Sequence, residues 1–183
     1  MNKDILVPIA HGSEEMESVI IIDMLRRAGL NVKVAGETEI ITCSRGVEII
    51  PDILIHKLEP NEEFDAIVIP GGLDGTENLN NNDRFIDILK YNFDSEKLIA
   101  AICASPTIFV NHKIVRSADS ITSHPSVSSQ FAEFNYSEDK VVEHGNIITS
   151  RGAGTAIEFS LKIIERLADA ETAKNVAQQI VYS

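Results

Sequence analysis

Cys103 stands out among the residues able to do chemistry because of where it falls. The apolar run Leu98-Ile99-Ala100-Ala101-Ile102 has the length of a buried strand, and it stops at this thiol. The helix-starting pair Ser105-Pro106 follows almost at once. A cysteine between a strand end and a helix N-terminus has backbone N–H groups pointing at it, and these favour the nucleophilic thiolate. Cys43 is the other cysteine of the chain, so no disulfide framework accounts for Cys103. Glu17 lies one turn into the first predicted helix beside Met16, Val19 and Ile20. Burial there would raise its pKa and leave a protonated carboxyl able to donate to a thiolate. His124 precedes Pro125 at a predicted strand end and has the chemistry to polarise a substrate or orient the thiol. Gly71-Gly72 ends another buried strand, where the missing side chains let the backbone approach the thiol and aim an N–H at an oxyanion.

Each of these residues also has a plainer use. Free cysteines are commonly small buried hydrophobes, helix glutamates are commonly solvated, and a glycine pair suffices for a steep turn. Other chemistries find no support. No Lys-Ser/Thr follows the glycines and no G-x-G-x-x-G occurs, so a nucleotide loop is weakly supported. The five histidines and two cysteines lack metal-ligand spacing, and no G-x-S-x-G elbow is present. No metal or cofactor is therefore expected.

Stepping from residues to elements, short apolar strands alternate with amphipathic helices, the pattern of an α/β fold with a largely parallel sheet. Strands are expected at Asp4–Ala10, Asn31–Ala35, Ala66–Pro70, Lys97–Ile102, Ser120–Ser123 and Asn146–Ser150, with a small hairpin around Ser44-Arg45-Gly46. Helices are expected over Glu14–Ala28, with Met16, Val19, Ile20 and Met24 inward, and over Asp83–Phe93. Further helices are expected from Ser105, from Pro125, over Thr155–Ala168 and over Glu171–Val181. Ligands of an open parallel sheet bind beyond the carboxyl ends of the strands. The loops His11–Glu17, Pro70–Gly75, Cys103–Pro106 and Ser150–Gly154 leave such ends, with Ser123-His124-Pro125 approaching the same edge. No linker interrupts the pattern, so residues 1–183 read as one domain.

The chain has 183 residues and a net charge of −12. Such acidity repels phosphate backbones, and the pair Arg26-Arg27 with scattered Arg45 and Arg151 makes no basic stripe, so direct nucleic-acid binding is not expected. No apolar stretch approaches the length of a membrane span, and the cysteine usage fits the reducing cytoplasm.

Taken together, the motifs resemble the ThiJ/PfpI superfamily, specifically its DJ-one branch, that of the parkinsonism-associated protein and its bacterial relatives. The resemblance is carried, in order along nearly the whole chain, by His11-Gly12-Ser13-Glu14-Glu15-Met16-Glu17, Arg26-Arg27-Ala28-Gly29, Cys43-Ser44-Arg45, Pro70-Gly71-Gly72, Ala100-Ala101-Ile102-Cys103-Ala104, Thr122-Ser123-His124-Pro125 and Thr149-Ser150-Arg151-Gly152. It implies a flavodoxin-like three-layer sandwich that forms a homodimer, with Cys103 as the reactive thiol at a nucleophile elbow. Glu17 would be its protonated partner, His124 the nearby histidine, and Gly71, Gly72 and Ala104 the residues around the oxyanion. Arg27 and Arg45 would hold an anion near the thiol, across the dimer interface. Peptidase-like members place His directly after the nucleophile, whereas this chain has Ala104 there. Ser105 departs from the branch, where Gly is common, and is expected to narrow the pocket with a hydroxyl near the thiol. The implied activity is glutathione-independent glyoxalase or protein deglycase chemistry on methylglyoxal, glyoxal or their adducts. The alternative is an oxidative-stress sensor or redox-regulated chaperone working through oxidation of Cys103, and a PfpI-type cysteine peptidase comes last.

Overall fold

A computed structural model describes residues 3–182. The chain opens with β1 (Asp4–Ile9), α1 (Glu15–Arg27) and β2 (Asn31–Gly36), then the short strands β3 (Ile41–Thr42), β4 (Glu48–Ile49) and β5 (Ile53–Leu54). It continues through β6 (Ala66–Ile69), α2 (Leu73–Asn80), α3 (Asp83–Asp94), β7 (Leu98–Ile102) and α4 (Pro106–Asn111). The rest comprises β8 (Ser120–Ile121), β9 (Asn135–Tyr136), β10 (Val141–His144), β11 (Ile147–Ser150), α5 (Ala156–Leu167) and α6 (Ala170–Gln179).

Seven strands form one sheet in the order β10-β11-β7-β6-β1-β2-β5, parallel throughout except for the antiparallel edge pair β10 and β11. The inner order is that of a flavodoxin-like sheet, whose strand order reverses between β1 and β6. Helices cover both faces, which explains why β6 and β7 are apolar at every position. Leu98, Ala100 and Ile102 pack with Ile21, Met24, Leu25, Phe159 and Ile163 on one face. Ile99 and Ala101 pack with Phe85, Leu89, Ile108 and Phe109 on the other.

Several expectations need correction. The first helix turns a different stripe inward: Glu17, Ser18, Ile21, Met24 and Leu25 are buried, while Met16 and Val19 are 56% and 50% exposed. The helix is apolar on two faces, and apolar spacing alone does not say which one meets the sheet. The segment expected as a strand over Ser120–Ser123 pairs only through Ser120 and Ile121, with β9 and outside the main sheet. The helix expected from Pro125 is a 3₁₀ segment, Pro125–Phe131. α2, β5, β9 and β10 are not among the expected elements; α2 carries only polar and small residues apart from Leu73 and Leu79, so its period is faint.

Candidate active site

β1, β6 and β7 deliver their carboxyl-end loops to one place beside the reversal in strand order. Cys103 follows β7 directly with φ 67°, a left-handed conformation unusual for a non-glycine residue. Three bonds hold that turn. The Cys103 N–H donates to Ser150 O at 3.0 Å, the Cys103 carbonyl accepts from the His124 N–H at 2.8 Å, and Ser105 N–H donates to Ile102 O at 3.2 Å. The strain of such an elbow is of order 1–3 kcal/mol. It turns the thiol out of the sheet into a cavity of about 440 Å³.

Ser105 does not face that cavity. Its hydroxyl is fully buried, with its one proton within reach of the carbonyls of Ile69 and Ile102, and it accepts from the Ile102 N–H. It ties the end of β6 to the elbow, so the expectation of a hydroxyl narrowing the pocket is incorrect. A polar side chain at that position is satisfied best by the backbone carbonyls beneath it.

Glu17 is fully buried although it stands on a helix. Glu14 caps that helix by accepting the Glu17 N–H at 2.7 Å, and the Glu14 N–H donates to Gly71 O at 2.9 Å, which fixes the start of α1 against the glycine pair. The Gly71 N–H in turn donates to Glu17 Oε2 at 2.7 Å. Oε1 has no hydrogen-bond partner among the described residues. A Cβ on Gly71 would lie 2.5 Å from the Cys103 Cβ and 2.7 Å from Glu17 Oε2, so only glycine lets the three meet. Gly72 has φ 91°, and a Cβ there would stand 2.2 Å from Gly12 O.

Burial pushes the Glu17 carboxyl up to about 7, against the pull of the Gly71 N–H. Burial and the Glu17 charge push the Cys103 thiol up to about 12, while N–H groups of Gly72 and Ala104 directed at the sulfur favour the anion. The expectation of a thiolate favoured simply by backbone N–H groups is therefore corrected. The thiol and carboxyl disfavour charge on one another, so they titrate as a pair whose first proton leaves at about 7 and which carries one negative charge above that. With the charge on sulfur, Gly72 and Ala104 offer it N–H groups and the Glu17 carboxyl retains the proton. Cys43, by contrast, is buried and pushed up to about 11 by burial and by Glu15 and Glu14, with no comparable N–H groups.

His124 lines the cavity with its ring exposed. Its Nδ1 accepts the Ser126 N–H at 3.2 Å, which places the proton of the neutral ring on Nε2. Arg45 also lines the cavity, and its backbone N–H donates to Glu15 Oε1 at 2.7 Å. Arg27 is not brought there: it ends α1, paired with Asp23, roughly 15 Å along the axis from Glu17. The sequence reading missed Glu15 and Ser126. Glu15 stands in the first turn of α1, where its charge suits the helix N-terminus, and it is also buried and accepts from the Ser44 hydroxyl and the Arg45 N–H. Burial opposes its ionisation, but these bonds hold the carboxyl below its ordinary value. The only advance signal for Ser126 was its spacing of two from a histidine before proline.

The chain as a whole is similar to known proteins. The profile of the DJ-1/PfpI family matches residues 3–166. Protein dj-1beta of Drosophila melanogaster is 44% identical over 185 residues, covering 99% of this chain and 98% of that protein. Glutathione-independent glyoxalase DJR-1.2 of Caenorhabditis elegans is 38% identical over 179 residues, covering 96% and 94%. Among solved structures, oxidized Toxoplasma gondii DJ-1 superposes with a TM-score of 0.95 at 42% identity, covering 99% of each chain.

Proposed function

The chain belongs to the DJ-1/PfpI family, and within it we propose a cysteine-dependent glyoxalase that converts methylglyoxal or glyoxal, or their adducts, to 2-hydroxy acids. The observation that carries this reading is the buried Oε1 of Glu17, free of other partners, on a carboxyl coupled to the Cys103 thiol. The thiolate attacks the aldehyde carbon, a C–S bond forms, and the carbonyl pair moves to oxygen, where the Gly72 and Ala104 N–H groups hold the oxyanion. Glu17 gives its proton to that oxyanion, forming the hemithioacetal, and the carboxylate left behind takes the proton from the same carbon and returns it to the neighbouring carbon while the hydroxyl proton shifts to the neighbouring oxygen, which yields a 2-hydroxyacyl thioester. Water cleaves the thioester, releases the acid and returns the thiolate. No external oxidant is needed, because one carbon is oxidised as its neighbour is reduced. The Nε2–H of His124 is available to the second substrate oxygen.

The relative named as a glutathione-independent glyoxalase supports this chemistry for the present chain. The test is lactate formation from methylglyoxal by the wild type and by Cys103→Ala. The reading requires activity in the first and none in the second, and equal turnover by both would reject it.

Oxidation of Cys103 is the second reading. It is favoured by the relative whose structure is of an oxidized form and by donors around the sulfur that suit a sulfinate. The same reading of the site includes a homodimer. Met16, Val19, Val47 and Ile50 are large apolar side chains left exposed on and beside α1, and a second copy would cover them. Such a partner offers the route by which an Arg27 would reach a thiol. The cytoplasm is the proposed compartment.

A further inference from the structure

We infer that a polar groove adjoining the thiol cavity seats the hydroxylated tail of a sugar-derived 2-oxoaldehyde. The groove, of about 300 Å³, shares Leu73 and Ala104 with the Cys103 cavity. Its other walls come mainly from Thr76, Glu77 and Asn80 of α2, Asn111 of α4, and Gln130 of the 3₁₀ segment after His124. The inference rests on the glyoxalase reading and extends its substrate.

Direction follows from Ala104. Its N–H points at the Cys103 sulfur, and the same residue borders the groove. An aldehyde carbon bonded to sulfur, with its oxygen at the Gly72 and Ala104 N–H groups, can send the rest of its chain past Ala104 into the groove. Methylglyoxal is too short to use this space; a six-carbon 2-oxoaldehyde is not.

The chemistry of the walls selects the tail. Side-chain amides pair with hydroxyls equally well as donors and acceptors. Asn111 Nδ2 donates to Asn80 Oδ1 at 3.0 Å, a bond that orients both amides. An alkyl tail would strip water from these groups and give nothing back, whereas a polyol replaces the bonds it displaces. Glu77 accepts from hydroxyls but repels a phosphate or carboxylate, so the tail is uncharged. The reaction balances as for methylglyoxal: R–CO–CHO plus water gives R–CHOH–COOH by the same transfer between adjacent carbons.

The experiment uses 3-deoxyglucosone and methylglyoxal as probes of the wild-type protein and the variants Gln130→Ala and Asn111→Leu. It reads kcat/KM for each probe. Independently of turnover, it reads the probe concentration that halves alkylation of Cys103 by iodoacetamide. Gln130 is exposed, so its replacement does not threaten folding. Each variant should lose about fivefold in kcat/KM for 3-deoxyglucosone and need about fivefold more of it for protection, with methylglyoxal unchanged within about twofold. Equal losses for both probes, or no loss for 3-deoxyglucosone in either variant, would overturn the groove's role. If the wild type turns over neither probe yet 3-deoxyglucosone still protects in a Gln130- and Asn111-dependent manner, the glyoxalase reading fails and the groove stands. Absence of protection by 3-deoxyglucosone in the wild type removes the groove even where methylglyoxal is turned over.

Discussion

The Gly71 amide donates to Oε2 of Glu17 at 2.7 Å, and Oε1 of that buried carboxyl has no partner of its own among the described residues. An oxygen that already accepts an N–H is the poorer place for a proton, so the proton of neutral Glu17 belongs on Oε1. The backbone of one strand end therefore decides which carboxyl oxygen works as the acid.

This carboxyl should be visible in the pH dependence of folding. Its folded value of about 7 lies above the ordinary 4.5. Between those values the native state holds a proton that the unfolded chain has lost. Stability from this group is therefore full below about pH 4.5 and is lost as pH rises through about 7. Glu17→Gln does not titrate. Urea unfolding at pH 4.5 and pH 8 should show the variant gaining about 3 kcal/mol on the wild type between the two. Parallel pH curves for the two proteins would mean that the folded carboxyl titrates at its ordinary value.

Substitutions at Glu17 should also separate nucleophile from proton carrier. Gln removes the charge that raises the thiol and keeps a donor; Leu removes both. The pH profile of iodoacetamide alkylation should therefore place the Cys103 titration at least about one unit lower in Glu17→Gln than in Glu17→Leu, the worth of one hydrogen bond to a charged group. Turnover of methylglyoxal should fall by about a hundredfold or more in both, since neither side chain moves a proton. Retained turnover in Glu17→Gln would transfer that role elsewhere, with His124 the next group to test.

The glycine at the meeting point gives a steric test. Gly71→Ala must displace Cys103 or Glu17, whose atoms lie 2.5 and 2.7 Å from the added carbon. Overpacking of this kind costs about 1–3 kcal/mol, and the elbow it disturbs should leave little activity. Gly154→Ala meets nothing within 4 Å and should stay within about 0.5 kcal/mol of the wild type. Thermal denaturation with a lactate assay reads both. Full activity in Gly71→Ala would show that the close approach is dispensable.

How far the sequence spoke depended on what each residue's neighbours could reveal. The parallel sheet was legible because β6 and β7 are uninterrupted apolar runs, and Cys103 because such a run ends on it. Burial of Glu17 has another cause than its apolar neighbours suggest: Met16 and Val19 point outward, and the carboxyl accepts the Gly71 N–H from a loop 54 residues away. Ser105 was misplaced because a hydroxyl beside a thiol suggests a pocket, whereas the carbonyls of Ile69 and Ile102 take it inward. Glu15 was missed because its partners, Ser44 and Arg45, sit in a hairpin about 30 residues on. No local pattern encodes such pairings.

The misread face of α1 leads to the last prediction. Met16 and Val19 stand out from the helix, with Val47 and Ile50 beside it, and Ile50 is 78% exposed. Side chains of this kind hold two copies together if each buries the other's. Size-exclusion chromatography with light scattering should therefore give a dimer for the wild type and a shift to monomer for Val19→Glu and Ile50→Glu, since a carboxylate buried unpaired in an apolar contact costs several kcal/mol. Both positions are far from saturating the core, so each monomer should keep its fold by circular dichroism. If Arg27 of a partner helps hold anionic ligands near the thiol, those folded monomers should also bind the lactate product less tightly than the dimer. A wild-type chain that elutes as a monomer at high concentration would assign these exposed side chains to some other contact and leave Arg45 as the cation of the cavity.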